Sequence, residues 1–247
     1  MNTYKTSEIA AIIGIHPNTV RLYEQWGMIP KPERQSNGYR IFTDVHIEQF
    51  QLARLAFQIE VLQNGLRKKI VQMVKVSAAG DFDTALLLTE EYLNQIRQEQ
   101  ANAEEAIEIV KQILSGGKKQ NTHFLKRKEV SQYLGISMDA LRNWEMNGLL
   151  TVKRRENGYR VYTDQDIQRL KIIRSLRCAN YSLESILRLL HQLSKDPQSD
   201  IKGVLDTPKT DDDIIAVCDK LITSLQDAEK NAEKMILKLQ SMKIKFS

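Results

Sequence analysis

The chain has 247 residues, 42% of them apolar, and 36 Lys/Arg against 31 Asp/Glu give it a net charge of +5. That length accommodates one or two domains. It contains no apolar run of about eighteen residues and no signal-like apolar stretch near Met1, which argues against a membrane span or export and predicts a cytoplasmic protein. Cys178 and Cys218 stand far apart, against a disulfide framework or a structural zinc site. The four histidines (His16, His46, His123, His191) show no metal or catalytic spacing, so neither an enzyme nor a bound cofactor is expected.

Charge is unevenly spread. Residues 1–75 hold 10 Lys/Arg and 6 Asp/Glu, and residues 122–195 hold 14 and 7. Residues 81–115 hold 2 and 8, and residues 196–247 hold 8 and 10. Two basic regions therefore alternate with two acidic ones. Basic regions suit a polyanion, because each neutralised phosphate releases counterions. The acidic segments between them argue against a uniform basic coat.

In chain order, a short helix is predicted over Thr6–Ile13 and ends at Gly14, as helices commonly do. His16-Pro17 starts a second helix, with proline in the tolerated first turn; it carries Arg21 and stops at Gly27. Gln35-Ser36-Asn37-Gly38 then predicts a tight hairpin turn, followed by the strand-like Tyr39, Ile41 and Phe42. Thr43-Asp44 caps the next helix. A long helix follows within 81–115. Its positions Leu93, Ile96, Gln100, Ala103, Ile107, Val110 and Leu114 recur at steps of 3 and 4, as in a coiled-coil seam.

After a linker at 116–121, the same series is repeated. A helix over Lys126–Leu134 ends at Gly135, Ser137 caps a second helix carrying Arg142 that stops at Gly148, and Asn157-Gly158 opens a second hairpin. Thr163 with Asp166 forms a capping-box start. The offset between copies is 121 at the first glycines and 120 at the Asn-Gly pairs, so one residue is missing between Gly148 and Asn157. A loop at 195–213 leads to a final helix over 214–245. Its seam is Ile214, Cys218, Leu221, Leu225, Ala228, Ala232, Met235, Leu239 and Met242. A repeat of domain size sets the architecture: a first head at 1–76 and a second at 122–194, each followed by a long helix.

Helix, glycine turn, helix and hairpin form a winged helix-turn-helix. The motifs Arg21-Leu22-Tyr23-Glu24 with Gly27, and Asn37-Gly38-Tyr39-Arg40-Ile41-Phe42, resemble the DNA-binding head of the MerR family of transcription regulators. So do Arg142-Asn143-Trp144-Glu145 with Gly148, Asn157-Gly158-Tyr159-Arg160-Val161-Tyr162, and the later Ser182-Leu183-Glu184-Ser185-Ile186. The expected fold is mainly α: two winged helix-turn-helix domains with small β-hairpin wings, whose long helices pair as an antiparallel coiled coil. The first long helix, read as about 26 residues, would span roughly 39 Å. That is near the ~34–36 Å between successive turns on one face of DNA.

Several residues are expected at DNA. Asn18, Thr19 and Arg21 can share the exposed face of the first recognition helix, and Asp139 and Arg142 that of the second. By resemblance, Tyr39, Arg40, Tyr159 and Arg160 grip the flanking backbone from the wings, and Arg177 faces phosphate. Its counterpart in the first head is Phe57. Arg154 and Arg155 lie beside the second wing. Tyr23 and Trp144 are read either as DNA contacts or as packing residues. Glu24 and Glu145 are read as partners of nearby basic groups. In the family's metal sensors, cysteines at the long helix bind the ion; here the two cysteines read as small buried apolar residues. The resemblance implies a regulator that bends and untwists promoter spacer DNA, with RNA polymerase as a further partner. A single-chain pseudo-dimer would read a pseudo-palindromic operator with unequal half-sites; a homodimer is the alternative. Two other readings stand beside this one: an architectural or recombination-accessory DNA binder, and a small-molecule-sensing regulator with a site between the heads and the coiled coil, an apolar pocket lined by Trp26, Trp144 or tyrosines.

Overall fold

The computed structural model describes residues 2–58, 62–115, 124–154, 159–195 and 214–246. The linker at 116–121, nearly all of the loop at 195–213, Arg155 and the Asn157-Gly158 turn lie outside the described residues, as does the Arg154 side chain.

The first head runs β1 (Thr3–Tyr4), α1 (Thr6–Ile13), α2 (Pro17–Gln25), β2 (Glu33–Arg34), β3 (Arg40–Thr43), α3 (Asp44–Ala56) and α4 (Leu66–Ala78), followed by the long α5 (Phe82–Leu114). The second repeats it: β4 (Phe124–Leu125), α6 (Arg127–Leu134), α7 (Met138–Met146), β5 (Lys153–Arg154), β6 (Arg160–Thr163), α8 (Asp164–Cys178) and α9 (Leu183–Lys195), followed by α10 (Ile214–Phe246). The caps are those the sequence signals. Gly14 and Gly135 end α1 and α6 in the left-handed conformation. The Ser137 hydroxyl accepts from the Ala140 amide, and that of Thr163 from the Asp166 amide.

The wings are larger than the hairpins predicted. Each is a three-stranded antiparallel sheet, in the orders β1-β3-β2 and β4-β6-β5. Thr3 pairs with Thr43 and Phe124 with Thr163, so the start of each head is stitched to its wing. Two-residue strands are too short to show alternation in the sequence.

The chain divides into two compact units, and the divisions fall inside the long helices. Unit 1 is Met1–Arg97 with Ser224–Ser247; unit 2 is Gln98–Thr223. Each unit therefore contains one head and part of the helix that follows the other head. In unit 1, Asp83 near the start of α5 pairs with Lys243 near the end of α10. Arg97 further along α5 pairs at 2.7 Å with Glu229, earlier on α10. The two helices run in opposite directions there. Glu48 of α3 takes Lys238 at 2.5 Å and Lys245 at 3.0 Å, tying the first head to α10.

Unit 2 has its own core. Val130, Leu141, Trp144, Tyr162 and Leu170 of the second head pack with Ala106 and Val110 of α5 and with Val217 and Cys218 of α10. The head core of unit 1 gathers Ile9, Val20, Ile29, Phe42 and Phe50. All nine predicted seam positions of α10 are buried. On α5, Gln100 and Leu114 are only half-buried, while Glu99 is 2% exposed. Both long helices have 33 residues, about 50 Å at 1.5 Å per residue, so the roughly 39 Å expected for the first is too short.

A buried polar link in each head fixes the loop after the recognition helix. The Gln49 amide of α3 donates to the Met28 and Val74 carbonyls at 3.1 and 2.9 Å, and its oxygen accepts from Ser77. At the equivalent place in the second head, Arg169 Nε donates to the Leu149 carbonyl at 2.7 Å. Different side chains thus satisfy the same backbone oxygen, which would otherwise be costly to bury.

Candidate nucleic-acid interface

The recognition helices are amphipathic, and their outer faces are open. His16 Nδ1 accepts from the Asn18 amide at 3.1 Å and fixes the start of α2, with Pro17 in its first turn. Val20 is the buried anchor. Asn18 and Arg21 are exposed, and Arg21 donates to Asn18 Oδ1 at 2.9 Å, so the two share one face. Thr19 is half-buried. On α7, Leu141 and Trp144 face inward, while Asp139 and Arg142 are exposed one turn apart. The exposed apolar flanks of α7, Met138 and Met146 (76% exposed), were not anticipated. An apolar side chain next to Arg at an open helix face was their available signal.

The aromatic pair separates on inspection. Trp144 is 6% exposed and belongs to the core of unit 2. The structure thus places Trp144 as a packing residue rather than the expected DNA contact, because a ring this deeply buried has almost no face to offer a ligand. Tyr23 is half-buried, its ring centroid 5.2 Å from that of Phe50.

The wings are presented by one carboxylate in each head. Glu24 takes Arg40 Nε at 2.5 Å and Arg34 at 3.3 Å. Glu145 takes Arg160 Nε at 3.0 Å and Arg127 at 2.5 Å, and also accepts the Tyr162 hydroxyl. Arg40 and Arg160 therefore each commit one edge of the guanidinium to holding the wing on the recognition helix. Burial pushes the Tyr162 hydroxyl pKa up to about 12, so it remains a donor. In the first wing the Gln35 carbonyl accepts from Gly38, whose φ of +84° needs a residue without Cβ. The wing aromatics are exposed, Tyr39 at 72% and Tyr159 at 69%. Arg177 is half-buried and donates to the Tyr181 carbonyl at 2.5 Å. At its counterpart Phe57, the first head instead places Arg67 over the ring, 4.4 Å from the centroid.

The remaining candidates are quickly placed. Cys178 and Cys218 are both fully buried, and burial pushes the Cys178 thiol up to about 12, where it is a poor ligand and nucleophile. Among the described residues no group of three His, Cys, Asp or Glu could hold a metal ion. Among them, too, no helix is long and apolar enough to cross a membrane. Trp26 is 52% exposed rather than lining an apolar pocket.

Fold and site together define a protein built on two winged helix-turn-helix heads. A sequence profile described as MerR HTH family regulatory protein matches residues 4–69 and 125–193, more than half of the chain, and the chain belongs to that family. It is 38% identical over 71 residues to the HTH-type transcriptional regulator ZntR of Escherichia coli (strain K12), covering 28% of this chain and 50% of that one. To the HTH-type transcriptional regulator CueR of Escherichia coli O157:H7 it is 38% identical over 53 residues, 22% of this chain and 39% of that one. To the HTH-type transcriptional repressor CarH of Myxococcus xanthus it is 31% identical over 74 residues, 30% and 25% of the two chains. The chain thus spans half or less of the length of these relatives. No solved structure matches it significantly.

Proposed function

We propose that the chain is a sequence-specific double-stranded-DNA-binding transcription regulator in which one polypeptide supplies both reading heads. The observation that carries this reading is the duplicated geometry. Each unit offers an open recognition-helix face (Asn18 and Arg21; Asp139 and Arg142) beside a wing with an exposed tyrosine, Tyr39 or Tyr159. Arg presents a fork of donors to guanine or phosphate, Asn suits adenine, and Asp accepts from cytosine. The heads differ at these base-reading positions, so the operator has two unlike half-sites. Tyr39, Tyr159, Arg177 and the outer edges of Arg40 and Arg160 set the position on the backbone. Arg154 and Arg155, which follow Lys153 in the sequence, join them as phosphate contacts.

The long helices supply the rest. Opposed ion pairs in unit 1 and the buried seam of α10 support an antiparallel coiled coil of α5 with α10. Each compact unit uses the end of the helix that follows the other head, as the subunits of a symmetric dimer would. The chain acts as a single-chain pseudo-dimer in the cytoplasm. It bends and untwists a promoter spacer so that RNA polymerase engages both promoter elements, and the deformation energy contributes to specificity.

Selection of random duplexes on the purified chain, followed by footprinting, tests this. One enriched motif with two unlike halves is expected, with Arg21→Ala weakening protection of one half and Arg142→Ala the other. No enrichment overturns the DNA-reading function. A strict palindrome overturns the unequal half-sites, and enrichment only of recombination-type attachment sequences favours an architectural role.

A further inference from the structure

Unit 2 contains a cavity of about 390 Å³ between α5, α6 and α8. None of the residues assigned to DNA lines it. Its walls are polar: Gln98 and Asn102 come from α5, Gln132 and Tyr133 from α6, and Lys171 and Arg174 from α8. Lys171 and Arg174 are three residues apart on one helix and so share a face. Glu105 is the carboxylate that lines it.

The two cations that line it are partly engaged. Arg174 forms a bidentate pair with Glu99, Nη1 to Oε2 at 2.7 Å and Nη2 to Oε1 at 2.8 Å. Glu99 is 2% exposed and lies beneath the wall. Arg174 Nε is buried and, among the described residues, bonds to nothing. Lys171 gives one N–H to Glu105 at 2.6 Å and one to the Tyr133 hydroxyl at 3.0 Å, leaving a third. An ammonium has three donors and a guanidinium five, so each group retains at least one. Two cationic side chains and three carboxamides, Gln98, Asn102 and Gln132, line one cavity with a single carboxylate, a set that suits a carboxylate group attached to a small polar body.

Comparison of the copies shows that this is not a feature of the scaffold. By the repeat offset, Gln132, Tyr133 and Lys171 correspond to Ala11, Ile12 and Gln51 in the first head. Arg174 corresponds to Arg54, which is exposed. The second head has replaced small, apolar and neutral residues with a set able to bind.

We propose that this cavity binds a small carboxylate-bearing metabolite, making the second head the sensing half of the molecule. The ligand would span α5, α6 and α8 and so set how α6, the first helix of the helix-turn-helix, sits on the long helix. That consequence rests on the DNA-reading function, but the binding does not.

The test is calorimetry on the full chain without DNA, so that its failure is distinct from a failure of DNA reading. The probes are succinate, L-glutamate, citrate and gluconate, with inorganic phosphate as the other anion. The expected result is one site per chain for at least one carboxylate. Lys171→Met and the paired change Glu99→Met/Arg174→Met should each weaken it about tenfold or more, and Arg54→Met should leave it unchanged. The paired change removes the buried charge together with its partner, which preserves folding. No heat with any of the four carboxylates overturns the proposal. So does binding that survives both changes, or phosphate binding at least as tightly as the carboxylates.

Discussion

The two heads present their wings with the same acid but anchor it differently. In the first head, among the described residues, Glu24 holds only the wing arginines, Arg34 and Arg40. In the second, Glu145 also holds Arg127 at the start of α6 and the buried Tyr162, where the first head has Thr6 and Phe42. The second wing is thereby tied to both helices of its helix-turn-helix. The same head docks on α5 through the enclosed Arg174–Glu99 pair, while the first docks on α10 through the more open Lys238–Glu48–Lys245 cluster. Two copies of one fold thus place their electrostatics at different depths. Depth decides energy: an enclosed pair is costly to break, whereas an open one is screened.

The largest separation is expected at counterpart arginines. Arg174→Met alone leaves Glu99 charged and buried and should cost about 3–5 kcal/mol, while Glu99→Met/Arg174→Met returns close to the parent. Arg54→Met, exposed in the first head, should stay within about 0.5 kcal/mol. Denaturant unfolding followed by hydrogen exchange in α8 and α3 reads both. Equal losses at the two positions would break the contrast.

Next come the paired aromatics. Trp144→Ala empties an enclosed core site and should cost about 3 kcal/mol; Tyr23→Ala, half-buried against Phe50, should cost about half as much. A smaller step is expected at the wing anchors. Glu145→Ala should destabilise by about 2 kcal/mol and Glu24→Ala by about 1, because Glu145 leaves three donors unpaired and Glu24 two. Exchange rates of the β6 and β3 amides report this, and a larger loss at Glu24 would reverse the assignment.

The smallest effect concerns acid. The Lys238 ammonium, with Lys245 adding to it, holds the Glu48 carboxyl below its ordinary value of 4.5. A depressed folded-state pKa contributes stability that is present above the unfolded value and lost as pH falls through the folded one. The contact of the first head with α10 should therefore loosen below about pH 4.5. Because the groups are partly exposed, the effect should be under about 1 kcal/mol and fade with salt. Lys238→Gln should flatten this pH dependence in exchange measurements on α3; an unchanged slope would contradict the role of Glu48.

Much of the fold was legible because local chemistry and tertiary structure agree. The caps at Ser137 and Thr163, the glycine stops at Gly14 and Gly135, and the nine-residue seam of α10 each depend on near neighbours or on one periodic face. What was not legible depends on contacts distant in sequence. Strands β1 and β4 exist only because β3 and β6 lie alongside them. Glu99 is buried beside the expected stripe because α5 must also meet Arg174. The Gln49 and Arg169 links were hidden because their partners are backbone oxygens 21 and 20 residues away. At the candidate interface, spacing placed Asn18 with Arg21 and Asp139 with Arg142, but periodicity could not tell that Trp144 turns inward while Tyr23 stays partly open.

The central claim is that one chain carries both reading heads of an operator. Light scattering on the complex with a selected duplex measures this most directly. The expected mass is that of the duplex plus a single 28.5 kDa chain, with both half-sites protected in the same complex. Two chains on one operator, or one chain protecting a single half-site, would contradict it.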